Sequence, residues 1–238
     1  MGYINIEDLK VGDEIFGIDG NIYNVQGVFP QGKKQIYKVE FSDGTIIKCC
    51  NEHLWTFQTR KMRNNNINKW RTETLQNIIN NYKLYHIDKR GYKTRNIYVP
   101  LPKPLHFPKK ELPIKPYILG KLLRNGALRK RQEKKSELVT ILEDLQLNGK
   151  HSWKKFIPRI YLFSSVEDRR ELLNGLINTN RYLKKRLCKF TTISKQLADD
   201  VKFLAQSLGC IVKIGLEEKP KYIHNKQNII KKKSIKFI

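Results

Sequence analysis

An α+β fold is predicted for this 238-residue chain, and three observations predict it. The first 57 residues are short apolar runs cut by turn signals, one of which alternates apolar and polar residues with period two. Four later stretches carry apolar residues at helical spacing. Short strand-like runs flank the last of these helices.

The elements follow in order. Asp19-Gly20, Gly32-Lys33 and Asp43-Gly44 are turn signals. Between them lie Glu14–Ile18, Tyr23–Phe29 and the alternating Gln35–Phe41. Ile46–Cys50 completes a hairpin across Asp43-Gly44. This predicts an antiparallel β module over residues 1–57. Residues 58–113 form a basic and aromatic arm with a short helix over Thr72–Tyr82, then an extended tract holding Pro100, Pro102, Pro104, Pro108, Pro113 and Pro116. Such a tract marks a domain boundary. Helices are predicted over 117–130, 136–147, 166–178 and 193–208. The last opens at Ser194, a good N-cap, and closes at Gly209. Strands at Lys189–Thr192 and Ile211–Leu216 complete a second domain spanning 114–216. The basic tail, 217–238, carries one more candidate strand.

Charge is the strongest compositional signal. Lys and Arg number 47 against 22 Asp and Glu, a formal net charge of +25. A polyanion partner fits, because each neutralised phosphate releases counterions and drives association. The competing source is base composition, since Lys, Asn and Ile have A-rich codons. In the arm, Arg60, Lys61 and Arg63 precede Tyr85, Arg90, Tyr92, Lys93, Arg95 and Tyr98. Interleaved aromatics and cations stack bases and hold phosphates. The competing reading is a solvated arm whose tyrosines half-bury on a neighbouring sheet. No window approaches the ~20 apolar residues of a membrane span, and no secretory signal is seen, so an intracellular protein (cytoplasm, nucleoid or organelle matrix) with no membrane partner is expected. The four cysteines, two of them adjacent, suggest neither a disulfide framework nor a zinc site.

Two helices share a design. Ile118-Leu119-Gly120-Lys121-Leu122-Leu123-Arg124-Asn125-Gly126 sits in the first, and Leu173-Asn174-Gly175-Leu176-Ile177-Asn178-Thr179-Asn180-Arg181 in the third. Each places glycine third, aliphatics around it and a polar side chain at the C-terminal end. A small residue on each lets the pair approach closely and sets their ends side by side about a pseudo-two-fold axis.

This pattern resembles the LAGLIDADG homing endonucleases in the form found inside inteins. Pro113–Gly120 resembles the lead-in to the first motif, Asn148–Pro158 the inter-motif block, and Thr191–Val201 the block after the second motif. Ile6–Ile15 resembles the start of an intein splicing (Hint) domain, and Asp43–His53 its histidine block. The fold implied is a partial Hint-like antiparallel β module plus a LAGLIDADG-like αββ core with a pseudo-two-fold helix pair. The tail is a candidate strand returning to the Hint module.

In the family, an acidic residue ending each motif binds Mg²⁺ and the scissile phosphates, where paired carboxylates hold metals against attacking and leaving oxygens. The matching positions here are Asn125 and Asn180, neutral amides that suit a hard cation far less well. Asn178, Arg124 and Arg181 also stand where relatives usually carry Asp or Gly. All five departures are of kinds that single G-to-A transitions produce. The resemblance therefore implies an ancestral site-specific double-strand DNA endonuclease with a degenerate catalytic pair that cuts poorly or not at all, and no metal or cofactor. Lys155 matches a region where relatives carry a catalytic lysine; without carboxylates it reads as a phosphate contact. Only Ala127–Lys135 separate the first motif helix from the next, so the first half of the DNA-binding saddle is expected to be missing.

Splicing is not expected of the chain as given. It begins Met1-Gly2-Tyr3 without a Cys or Ser nucleophile and lacks a terminal His-Asn block. His53 matches the histidine assisting the first acyl shift, and Cys50 replaces the usual Thr before it. Both then read as structural.

The candidate nucleic-acid contacts are Arg60, Lys61, Arg63, Arg90, Tyr92, Lys93, Arg95, Arg129, Lys130, Lys184, Lys185 and Arg186. The partner is duplex DNA or structured RNA. Two alternatives stand beside this reading. One is an RNA-binding structural or maturase-like protein. The other is a truncated or split intein completed in trans, because missing strands leave an edge for a protein partner.

Overall fold

The structure is a computed structural model that describes residues 4–125, 137–177, 188–217 and 232–237. It is α+β with small antiparallel sheets. Two units divide it: Met1–Glu14 with Asn24–Leu101, and Ile15–Tyr23 with Pro102–Ile238.

Antiparallel ribbons open the chain; residues 15–23 of the first ribbon belong to the second unit, and the later ribbon lies in the first unit. Strand β1 (Glu14–Phe16) pairs with β2 (Ile22–Asn24). Its predicted continuation to Phe29 is not formed, since Gly27, Pro30 and Gly32 interrupt any ladder there. Strands β3 (Ile36–Glu40) and β4 (Ile46–Cys50) pair as the alternation predicts, with Lys38 opposite Lys48. Asp43 closes the turn by accepting the Thr45 backbone N–H at 2.9 Å.

Residues after 57 extend this unit. Strand β5 (Leu54–Thr59) runs through the expected boundary and leads into α1 (Arg60–Asn64). Thr59 Oγ1 caps that helix by accepting from Met62 N. Strand β6 (Arg71–Thr74) takes the first turn of the predicted 72–82 helix, so α2 spans Leu75–Asn81 and starts at a Thr74 cap. Then come β7 (Tyr85–Ile87), β8 (Lys93–Arg95) and β9 (Ile97–Tyr98). β5 is central, with β6 on one side and β9 on the other. Phe57, Met62, Leu75 and Ile78 are buried around it, and Phe57 meets the edge of Tyr82 at 5.0 Å. The predicted arm thus shares a sheet and a small core with β5, inside the first unit.

The second unit resumes at Pro102 in the proline tract, held as an ordered strap against residues 18–20. Lys103 N donates to Ile18 O and His106 N to Gly20 O, each at 2.8 Å. Gly20 has φ +84°, and a Cβ there would lie 2.0 Å from Pro104 O, so the strap requires glycine at this turn. Phe107 is buried and meets the edges of Phe16 and Phe163.

Helices α3 (Pro116–Asn125), α4 (Glu137–Asp144), α5 (Arg159–Leu162) and α6 (Val166–Ile177) follow. Strand β10 (Cys188–Thr192) leads to α7 (Lys195–Gln206), then β11 (Val212–Glu217) and β12 (Lys232–Phe237). The core gathers Leu119, Leu123, Leu172, Leu176, Leu197 and Leu204, each at most 1% exposed. Tyr161 locks the lead-in to α3: its hydroxyl accepts Ile114 N and donates to Ile114 O, both at 2.9 Å.

The tail strand departs from expectation. β12 lies between β10 and β11 and pairs antiparallel with both, Ile235 facing Phe190 and Ile214. It completes the second unit's sheet rather than returning to the β module. The order after α6 is strand, helix, strand, strand, so the described residues do not follow the αββ order expected. β10 and β11, joined through α7, run parallel, and a gap between them accepts a strand from elsewhere in the chain.

Candidate nucleic-acid interface

The two motif helices cross on their glycines. A Cβ on Gly120 would lie 2.4 Å from Leu172 O, and one on Gly175 would lie 2.2 Å from Tyr117 O. Each glycine thus faces the carbonyl three residues before the other, the reciprocity of a local two-fold axis. Asn125 is the last residue of α3. Asn180 lies outside the described residues, as do Arg129, Lys130, Lys184, Lys185 and Arg186.

Lys155 is brought to the C-terminal end of α3. Its side chain is buried, and Nζ donates to Leu123 O at 2.9 Å. A cation there meets carbonyls that no helical N–H satisfies. Burial pushes the Lys155 ammonium below its ordinary pKa. The flanking chain is pinned as well: Ser194 Oγ donates to Lys155 O at 2.6 Å while accepting from Leu197 N. Asp200 accepts Ile157 N at 2.8 Å, and burial raises the Asp200 carboxyl pKa.

Among the described residues, no group of three or more His, Cys, Asp or Glu that could hold a metal occurs.

The basic cluster of the first unit converges through β-pairing. Gln58 opposes Tyr98 and Thr59 opposes Ile97, so α1 starts beside the 93–98 segment. Arg60 Nη1 donates to Thr94 Oγ1 at 2.6 Å, and the Arg63 guanidinium sits 4.2 Å from the Tyr98 ring centre. With Asn64 these residues line an open groove of about 460 Å³. Lys61 is exposed on α1. Residues 58–101 hold ten Lys and Arg against two Asp and Glu, so positive potential concentrates there.

Other candidates sit apart from the groove lining. Lys93 Nζ lies 3.9 Å over the Tyr85 ring. Arg90 and Tyr92 are exposed near the β7–β8 turn, where Asp88 accepts both backbone N–H groups at 2.9 Å. Arg95 donates to Glu40 O at 2.9 Å and to Phe41 O, which gives it a structural task. Thr94 and Asn64, absent from the sequence candidates, are placed in the groove by the β5–β9 pairing. Only long-range register reveals them.

His53 is exposed, with its ring 5.3 Å from that of Trp55. Cys49 is buried and Cys50 half-buried, as alternation along β4 requires. No helix among the described residues is long and apolar enough to cross a membrane.

No family model matches the sequence. The chain is similar to the replicative DNA helicase DnaB of Mycobacterium intracellulare, with 29% identity over 237 aligned residues covering 87% of this chain. It spans 40% of that relative's length.

Proposed function

We propose that this chain is an intein-derived, LAGLIDADG homing-endonuclease-like protein that binds nucleic acid and does not cut it. The observation carrying the proposal is the reciprocal glycine contact between α3 and α6, with Asn125 ending the first motif helix. Two further observations support it: the net charge of +25 and the groove lined by Arg60 and Arg63. An intein is an intervening segment of a host polypeptide. On this reading, the alignment covering 40% of a helicase lies in such a segment of that relative.

Binding is then electrostatic and salt-dependent, while the scissile step lacks its metal site. The test is a gel-shift panel of duplex DNA, single strands and structured RNA, with and without Mg²⁺. Duplex binding without cleavage is the expected result. Efficient Mg²⁺-dependent duplex cleavage refutes the degenerate-site reading. A clear preference for structured RNA at 150 mM salt moves the assignment to an RNA-binding or maturase-like role.

A second reading has an observation of its own. Ile36, Ile46 and Ile47 on the β3–β4 ribbon are 60%, 48% and 40% exposed. Apolar residues on an uncovered ribbon fit a protein partner that completes a splicing domain in trans. Ligated product on co-expression with flanking fragments supports that reading.

A further inference from the structure

The loop after α4 carries an aromatic stack that neither the helix pair nor the first unit's groove uses. His151 and Trp153 lie ring on ring, with centroids 4.4 Å apart and planes within 3°. Both are exposed, and Trp153 keeps 53% of its surface in water. Lys150 and Lys154 flank them, half-buried and exposed respectively.

The stack stands on a fixed base. Lys154 N donates to His151 O at 2.8 Å, closing a 3-10 turn over Ser152–Lys154. The next residue is Lys155, anchored through Nζ to Leu123 O and through its carbonyl to Ser194 Oγ. Ile157 N is held by Asp200. The exposed rings are therefore mounted on three buried hydrogen bonds, close in sequence to the residue that caps the end of α3.

A stacked pair has both inner faces satisfied and its outer faces available. Ordering it again on binding costs little, because it is already formed. A flat aromatic ligand on an outer face extends the stack, and ammonium groups on either side suit a phosphodiester strand.

We propose that His151 and Trp153 form a stacking platform for an unpaired nucleobase of a bound strand, with Lys150 and Lys154 holding the adjacent phosphates. This rests on the nucleic-acid-binding reading and deepens it by naming the recognised element as an unstacked base. A base inside an intact duplex has both faces covered and cannot use the platform.

The test uses the full chain and four probes of one sequence: a single-stranded DNA, its RNA counterpart, an intact DNA duplex, and that duplex with one bulged 2-aminopurine. Binding is compared for the wild type and for W153L, W153F and H151A. W153L is expected to weaken the single strands and the bulged duplex by about 5- to 150-fold, the cost of one lost stack. Intact duplex changes less than twofold, and W153F recovers most of the loss. H151A weakens the same probes by a smaller factor. Quenching of 2-aminopurine fluorescence by the wild type, lost in W153L, reports the stack directly. Comparable losses on DNA and RNA show base stacking alone, and a loss confined to one shows that the sugar is also read; both support the platform. Unchanged affinity of W153L for all four probes overturns the platform and leaves nucleic-acid binding intact. Failure of the wild type to bind any probe at low salt overturns both readings.

Discussion

Replacing Gly120 with alanine tests the helix crossing directly. The new methyl carbon would start 2.4 Å from Leu172 O and 2.9 Å from Gly175 Cα, whereas ordinary contacts lie at 3.4–4 Å. Relief requires a retreat of about 1 Å. The obstructing atoms are backbone, so no side chain can rotate aside. Overpacking of this kind costs about 1–3 kcal/mol, and a backbone obstruction belongs at the upper end. Helix propensity opposes the loss, since alanine is better than glycine by about 1 kcal/mol. The net expectation is a destabilisation of about 2 kcal/mol, or roughly 4–8 °C in Tm for a chain of this size. Urea unfolding followed by helical circular dichroism measures it. Gly175→Ala should behave alike, its methyl meeting Tyr117 O at 2.2 Å. The double variant should fall short of the sum by at least about 1 kcal/mol, because one retreat admits both methyls. If Gly120→Ala instead stabilises the protein by about 1 kcal/mol, as propensity alone requires, the helices do not meet on their glycines.

Arg169 is fully buried, with its guanidinium donating to the carbonyls of Ser164, Ser207 and Leu105 and to Ser207 Oγ, and desolvation lowers its pKa to about 10. Arg169→Met should destabilise the second unit by about 3 kcal/mol or more in thermal unfolding, because buried acceptors are left without donors. Asp200 has a folded-state pKa raised above 3.8, so its contribution is fully present below that value and is lost as pH rises through the folded pKa. The stability of Asp200→Asn relative to wild type should therefore improve from pH 3 to pH 7 in denaturant titrations, and a flat difference contradicts the assignment. Arg63→Ala should weaken nucleic-acid binding at every sequence tested and reduce the magnitude of the log–log salt slope by about 1, a phosphate contact's signature. An unchanged slope removes Arg63 from the interface.

How much of this was legible beforehand depends on the range of the interaction. The β3–β4 hairpin rests on Asp43-Gly44 and a period-two alternation, both local, and it formed where they place it. The N-cap at Ser194 and the paired glycines were likewise readable within single helical turns. The packing of residues 58–98 was not legible, because the core there depends on Phe57 meeting Tyr82, twenty-five residues away. The positive groove needed the β5–β9 register to bring Arg60 to Thr94.

Local patterning, then, determined the α+β class, most helices, the hairpin turn and the helix-crossing residues, because turns, caps and amphipathic periods act over a few bonds. Tertiary structure alone decided that β12 enters between β10 and β11, that the proline tract is a strap fixed by Lys103 and His106, and that Arg169 and Lys155 are spent on buried carbonyls. A backbone edge carries no side-chain label, and a cation's composition is the same in water or core. Only the completed packing says which neutral oxygens it must satisfy.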